Sequence, residues 1–188
     1  MAMKSLEEMS MSELWELFPI VLAPHDDIWE QWAVDEISFL QNILRDRCER
    51  IHHIGSTAIN GIWAKPIIDI LLEVDEKEVL ADIKSMLIEN GYICMSESKD
   101  RMSFNKGYTP DGYSERVFHL HLRRNGDIDE IYFRDYLNQH HDIAKEYEAL
   151  KLSLWEKYKH NRDAYTNAKS GFVQIYTQRA KLEFKQKN

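Results

Sequence analysis

The eight residues Ile67-Ile68-Asp69-Ile70-Leu71-Leu72-Glu73-Val74 restrict the possible folds more than any other stretch of the chain. A short run this rich in isoleucine and leucine predicts a buried strand, and a carboxylate inside it is costly to bury unless it is paired or coordinated. Asp69 therefore calls for a site on that strand. Just upstream, His53-Ile54-Gly55-Ser56-Thr57 reads as a strand end followed by a tight turn. A glycine followed by small hydroxylated residues lets backbone N–H groups approach an anion closely, and phosphate is the usual such anion. Gly55, Ser56 and Thr57 are thus candidate phosphate contacts. Lys65 closes the loop between the two strands and reaches the same place as a point charge.

Around this centre the chain alternates in a readable way. Ser10 and Glu13 have capping-box spacing at the head of a short amphipathic helix that Pro19 ends. Between Asp27 and Arg47, Trp29, Trp32, Ala33, Ile37, Leu40, Ile43 and Leu44 recur at three- and four-residue steps, which predicts a long amphipathic helix. Strands are expected at 52–54, 67–74 and 92–96, with a helix at 76–89 capped by Asp75 and stopped by Gly91. Two more strands, 101–108 and 116–123, flank the turn Thr109-Pro110-Asp111-Gly112 and should pair as an antiparallel hairpin. After Gly126 the pattern is helical to the end, with a break at Asn161-Arg162-Asp163.

At 188 residues, with no repeat and no Pro/Gly/Ser linker, the chain is expected to be a single domain, 1–188, with an N-terminal extension over 1–24 and a helical part over 127–188. The net charge of −8 argues against a duplex nucleic acid or a membrane surface as partner. It leaves room for a small anionic ligand held by a few local cations. Cys48 and Cys94 are read as free thiols, and the acidic N-terminus, without an apolar run, reads as that of a cytoplasmic protein. Composition does not settle the oligomeric state.

The run from His53 to Ile70, HIGSTAINGIWAKPIIDI, resembles the GrpB family nearly residue for residue. Ile59-Asn60 stands where Val-Pro is usual. Phe118-His119-Leu120-His121-Leu122, Phe133-Arg134-Asp135-Tyr136-Leu137 and Ala164-Tyr165-Thr166-Asn167-Ala168-Lys169-Ser170 also resemble that family, so the likeness covers nearly the whole chain. It implies an α+β nucleotidyltransferase-like (polymerase beta-like) fold: a mixed, mostly antiparallel sheet with flanking helices and a helical C-terminal part. It also implies a turn that holds a triphosphate and a strand that presents two carboxylates, one residue apart, to two metal ions.

That carboxylate pair is incomplete. Asp69 supplies the first, but the residue two further on, facing the same side, is Leu71. Glu73 shares the face too, yet four residues along a strand is about 13 Å, too far to share an ion with Asp69, so it is read as a strand-end residue in solvent. A later strand carries His119 and His121 on one face, about 6.6 Å apart along the strand. With Asp69 they form either a two-histidine, one-carboxylate site for Mg, Mn or Zn, or a hydrogen-bonded group that orients the turn without an ion. Arg134 and Lys169, in segments resembling the family's motifs, are further candidates for phosphate, whereas Lys151 is read as a solvated helix residue. The expected function is binding of a nucleotide or another phosphate-bearing small molecule, with metal-dependent transfer left open by Leu71. A non-catalytic binding module, or a metal-dependent hydrolase using Asp69, His119 and His121, are the alternatives.

Overall fold

A computed structural model describes residues 4–187. Along the chain run α1 (Met11–Leu17), α2 (Ile28–Leu44), β1 (Arg50–Ile54), β2 (Ile68–Val74), α3 (Leu80–Glu89), β3 (Ile93–Glu97), β4 (Arg101–Thr109), β5 (Gly112–Arg124), α4 (Asp129–Gln139), α5 (His141–Tyr158) and α6 (Arg162–Lys187). The strands form one sheet in the order β1-β2-β5-β4-β3. Only the β2–β5 pairing is parallel, which makes the sheet mixed and mostly antiparallel as expected.

Strand alternation sorts the two faces. Ile68, Ile70, Leu72 and Val74 of β2 point with Phe118, Leu120 and Leu122 of β5 and Met102 and Phe104 of β4 into the main core, against Trp29, Ala33, Leu40 and Leu44 of α2 and Ile83 and Leu87 of α3. The opposite face of β2 carries Asp69, Leu71 and Glu73, in register with His119, His121 and Arg123 of β5. A second cluster, Ile59, Ile62, Phe133, Leu137, Ala144 and Tyr147, joins the β1–β2 loop to α4 and α5.

Several local expectations hold. Ser10 and Glu13 form the reciprocal capping box, and Gly91 takes a left-handed φ of 87° after α3. The helix after β2 starts later than Asp75 implied. Asp75 Oδ1 accepts from the Lys77 N–H instead, and Arg124 Nη1 holds the carbonyls of Asp75 and Glu78, so residues 75–79 form a pinned turn and α3 begins at Leu80. The segment before α2 is no loose appendage: Phe18, Ile20 and Leu22 are buried, Trp155 Nε1 donates to the Ile20 carbonyl, and Ala23 pairs with Ala64.

Asn60, in the position where the family usually has proline, uses the N–H that proline lacks to donate to Asn138 Oδ1, and Asn138 Nδ2 donates back to the Ala58 carbonyl. The loop is therefore clamped to α4 by hydrogen bonds. No helix among the described residues is long and apolar enough to cross a membrane.

Glu73 corrects the reading from sequence. It is 1% exposed, not solvated: its Oε1 faces His52 Nε2 at 3.2 Å and Arg50 Nε at 3.7 Å, and its Oε2 accepts from the Gly126 N–H at 3.2 Å. The turn after β5 folds back over the strand end and encloses it. Removing a buried carboxylate strands the groups it satisfies, so Glu73→Ala should lower the unfolding free energy by about 2 kcal/mol. Urea denaturation measures this, and an unchanged midpoint would return Glu73 to the solvent.

Candidate functional site

A cavity of about 820 Å³ opens between the polar face of the sheet and helices α4–α6. Its floor is Asp69. The carboxylate oxygen Oδ1 lies 3.4 Å from His119 Nδ1 and 3.4 Å from His121 Nε2. Burial pushes the Asp69 carboxyl up, but the hydrogen bonds and charges of the two imidazoles outweigh it and hold the group below the usual carboxylate range. His119 is pulled down by burial, against the opposing pull of Asp69. Its other nitrogen, Nε2, sits 2.8 Å from the Tyr108 hydroxyl, which in turn accepts from Arg162 Nη2 at 3.0 Å. With Nδ1–H toward the carboxylate, Nε2 is the acceptor from Tyr108, so the carboxylate sets the tautomer.

Gly55 brings the turn against this floor. Its φ of 74° lies in the left-handed region, and a Cβ built there would sit 2.3 Å from Asp69 Oδ2. Only a residue without a side chain lets the backbone pack so closely on the carboxylate. Ser56 follows at the cavity wall, beside Tyr147, whose hydroxyl is pushed up to about 12 mainly by burial while the Ser56 hydroxyl pulls it down.

Cations surround the same space. Lys65, Lys151, Arg162 and Lys169 all line the cavity. The Lys65 ammonium is driven down to about 7 by burial and by the neighbouring Lys169 and Arg162 charges. Lys151 is driven down to about 7 by burial, Lys169 and Lys65, and Lys169 to about 8 by burial. Lys65 and Lys169 both lie near the Tyr165 ring, 5.8 and 4.4 Å from its centroid. Neither makes a hydrogen bond or carboxylate ion pair among the described residues. Farther along α6 the wall becomes neutral, with Gln174, Thr177 and Gln178, and then acidic where Asp129 and Glu130 of α4 meet it. Lys181 bonds Asp129 at 2.5 Å, and the shielded Glu130 Oε2 has no hydrogen-bond partner.

Gly55, Ser56, Lys65, Asp69, His119, His121 and Lys169 are thus brought together as the sequence implied. Two expected phosphate contacts are not. Thr57 is buried, its hydroxyl held between His53 Nε2 at 2.9 Å and the Ile67 carbonyl at 3.3 Å, so it braces the loop from beneath. Arg134 spends Nη1 on the His53 carbonyl and Nε on Asp135, tying α4 to β1. Lys151 is corrected in the other direction: it is 1% exposed, bonds the Trp63 carbonyl and faces the cavity. Arg162, read only as part of a helix break, is a cavity cation. Its sequence signal, a lone arginine at a helix start, says nothing of a site.

Residues 19–179 match the profile of the GrpB family, described as "GrpB protein". The chain belongs to the GrpB family. The glutamate-rich protein GrpB of Alkalihalophilus pseudofirmus is 38% identical over 159 residues, covering 82% of the chain and 91% of that protein. The UPF0157 protein YqkA of Bacillus subtilis is 30% identical, and the chain spans only 52% of its length. Among solved structures, that of the conserved protein GrpB from Enterococcus faecalis has a TM-score of 0.77 at 26% identity, covering 87% of this chain and 99% of that one. The Cid1 poly(U) polymerase structure with Mg 3'-dATP bound has a TM-score of 0.51 at 13% identity, over 84% of this chain and 51% of that one. That likeness carries the fold alone, and the fold is nucleotidyltransferase-like.

The fold family brings with it two divalent ions on paired carboxylates, and the side chains here do not fit that group. Leu71 replaces the second carboxylate, and both ring nitrogens of His119 are engaged, by Asp69 and Tyr108. Among the described residues no three His, Cys, Asp or Glu side chains are arranged to hold a metal ion. In this structure Asp69 Oδ1 faces both imidazoles at 3.4 Å, and His119 is turned by its other nitrogen towards Tyr108.

Two outcomes follow for the site. Gly55→Ala forces the added methyl into Asp69 and adopts a left-handed φ, so it should cost about 2 kcal/mol or more in a denaturation experiment; a neutral result would mean that the turn does not rest on the carboxylate. For Lys169, the folded-state value near 8 lies below the unfolded value of about 10.4, so the unfolded chain binds more protons between those limits and stability rises with pH across them. Lys169→Met removes that penalty. It should raise Tm by ~2–4 °C at pH 6–7, with the gain shrinking as pH rises from 8 towards 10. A gain independent of pH would point to packing instead.

Proposed function

We propose that the protein binds a nucleotide or another phosphate-bearing small molecule in the cavity between the sheet and α4–α6. The observation that carries this reading is the convergence of Lys65, Lys169, Lys151 and Arg162 on one cavity in a chain of net charge −8. Cations that depress one another's protonation are an unfavourable arrangement in the free protein, and an anion between them relieves it. The Gly55-Ser56 turn at the same wall supplies a close backbone approach. Past the cations the cavity is walled by Gln174, Thr177, Gln178, Asp129 and Glu130, whose side-chain oxygens favour a ligand with hydroxyl or amino donors beyond its phosphate over a bare phosphate.

Binding is favoured over turnover. Phosphoryl transfer draws much of its acceleration from cations placed on the attacking and leaving oxygens, and β2 offers one carboxylate to hold them, already bonded to two imidazoles. Asp69, His119 and Tyr108 thus act as the rigid floor that keeps the turn and Lys65 in place.

A thermal-shift screen of ATP, GTP, CTP, UTP, pyrophosphate and orthophosphate tests the reading, because a ligand that binds only the native state raises its apparent stability. At a hundredfold excess over Kd the expected rise is ~5–10 °C, larger for nucleotides than for orthophosphate. Lys65→Gln should cut it by about half or more. A shift that this change leaves intact would place the ligand elsewhere.

A further inference from the structure

Leu71 and the lysines describe one exchange. On the polar face of β2, the position two residues from Asp69 is fully buried leucine, wedged in register between His52 and His121. Asp69 Oδ1 is taken by two imidazoles, and its Oδ2 side is closed by Gly55. A second ion-binding carboxylate is thus absent from the strand, and the first is spent on its neighbours. Yet the cavity above it carries four side-chain cations from three separate segments: Lys65 from the β1–β2 loop, Lys151 from α5, and Arg162 and Lys169 from α6. Lys151 and Arg162 have protein acceptors, the Trp63 carbonyl and the Tyr108 hydroxyl, whereas Lys65 and Lys169 have none among the described residues.

We propose that this cavity binds its ligand's phosphate groups without a divalent ion, with Lys65 and Lys169 as direct contacts and Lys151 and Arg162 as the charge behind them. The inference rests on the phosphate-bearing ligand proposed above and deepens it. Two ammonium groups can neutralise about as much phosphate charge as one divalent ion, and they do so without a carboxylate to anchor them. The ligand class that follows is a polyphosphate or nucleoside polyphosphate in its metal-free form. A divalent ion then competes: it binds the phosphates in solution, lowers their charge and removes what the lysines recognise. The response to a divalent ion is therefore opposite to that of a site that needs the metal bridge.

Isothermal titration calorimetry on the full chain tests this with two probes, ATP and tripolyphosphate, each in EDTA and each in excess magnesium. Saturable binding in EDTA is expected for at least ATP, with magnesium weakening it severalfold. Lys65→Gln and Lys169→Gln should each weaken binding in EDTA by tenfold or more, while Lys99→Gln, outside the cavity, leaves it unchanged. Far-UV circular dichroism confirms that the variants are folded, and if one is not, the magnesium comparison on the parent decides alone. Binding that appears or tightens only with magnesium overturns the metal-free inference and leaves the phosphate-ligand reading standing. Binding in EDTA that neither lysine change affects overturns the assigned contacts. No binding of either probe in either condition overturns both readings.

Discussion

The Asp69 carboxylate is the constraint around which the polar face of the sheet is arranged. A carboxylate on a strand whose other face is hydrocarbon needs compensation, and His119 and His121, two residues apart on the parallel neighbour, supply it at 3.4 Å each. Their supply depends on register: a slip of one residue in the β2–β5 pairing would carry both imidazoles to the core face and bring Leu120 beside Asp69. The same carboxylate decides what can precede β2, because the turn that packs on Oδ2 admits no Cβ. One charge thus links the strand pairing, the glycine turn and, through His119, the Tyr108 hydroxyl on β4, two strands away.

Leu71 divides the polar face into two regions with different work. On one side, Glu73 is closed over by the turn after β5 and joins β1 to that turn through His52, Arg50 and the Gly126 N–H. On the other, Asp69 lies at the bottom of an open cavity. Both are carboxylates paired with imidazole on the same strand, yet one is enclosed and the other faces the open cavity. The difference comes from what covers them.

The helical part sets the balance of charge. Helices α5 and α6 bring Lys151, Arg162 and Lys169 to the side of the cavity where Lys65 already lies, and desolvation and mutual repulsion lower the lysines' affinity for protons. Such a cluster lowers the stability of the free protein, the trade expected where a site is prepared for an anion. Within a nucleotidyltransferase-like fold, cations provided by helices stand beside a strand with Leu71 two residues from its one cavity carboxylate, Asp69.

The strand carrying Asp69, the glycine turn, the shared face of His119 and His121 and the capping box at Ser10 were all legible from the amino-acid sequence, because each depends on periods of two to four residues or on one residue's allowed dihedral angles. The family, and with it the nucleotidyltransferase-like fold, was legible for the same reason, since its motifs are contiguous runs. Tertiary structure alone decided which polar side chains serve the cavity. Lys151 meets Trp63 across 88 positions, Arg134 meets the His53 carbonyl across 81, and Glu73 meets the Gly126 N–H across 53. A lysine on a helix, an arginine beside an aspartate and a glutamate at a strand end look alike in sequence whether they face water, a carbonyl or a ligand. Their roles are set by how helices and turns pack over the sheet, and that packing is fixed by the shapes of distant surfaces, which no local spacing encodes.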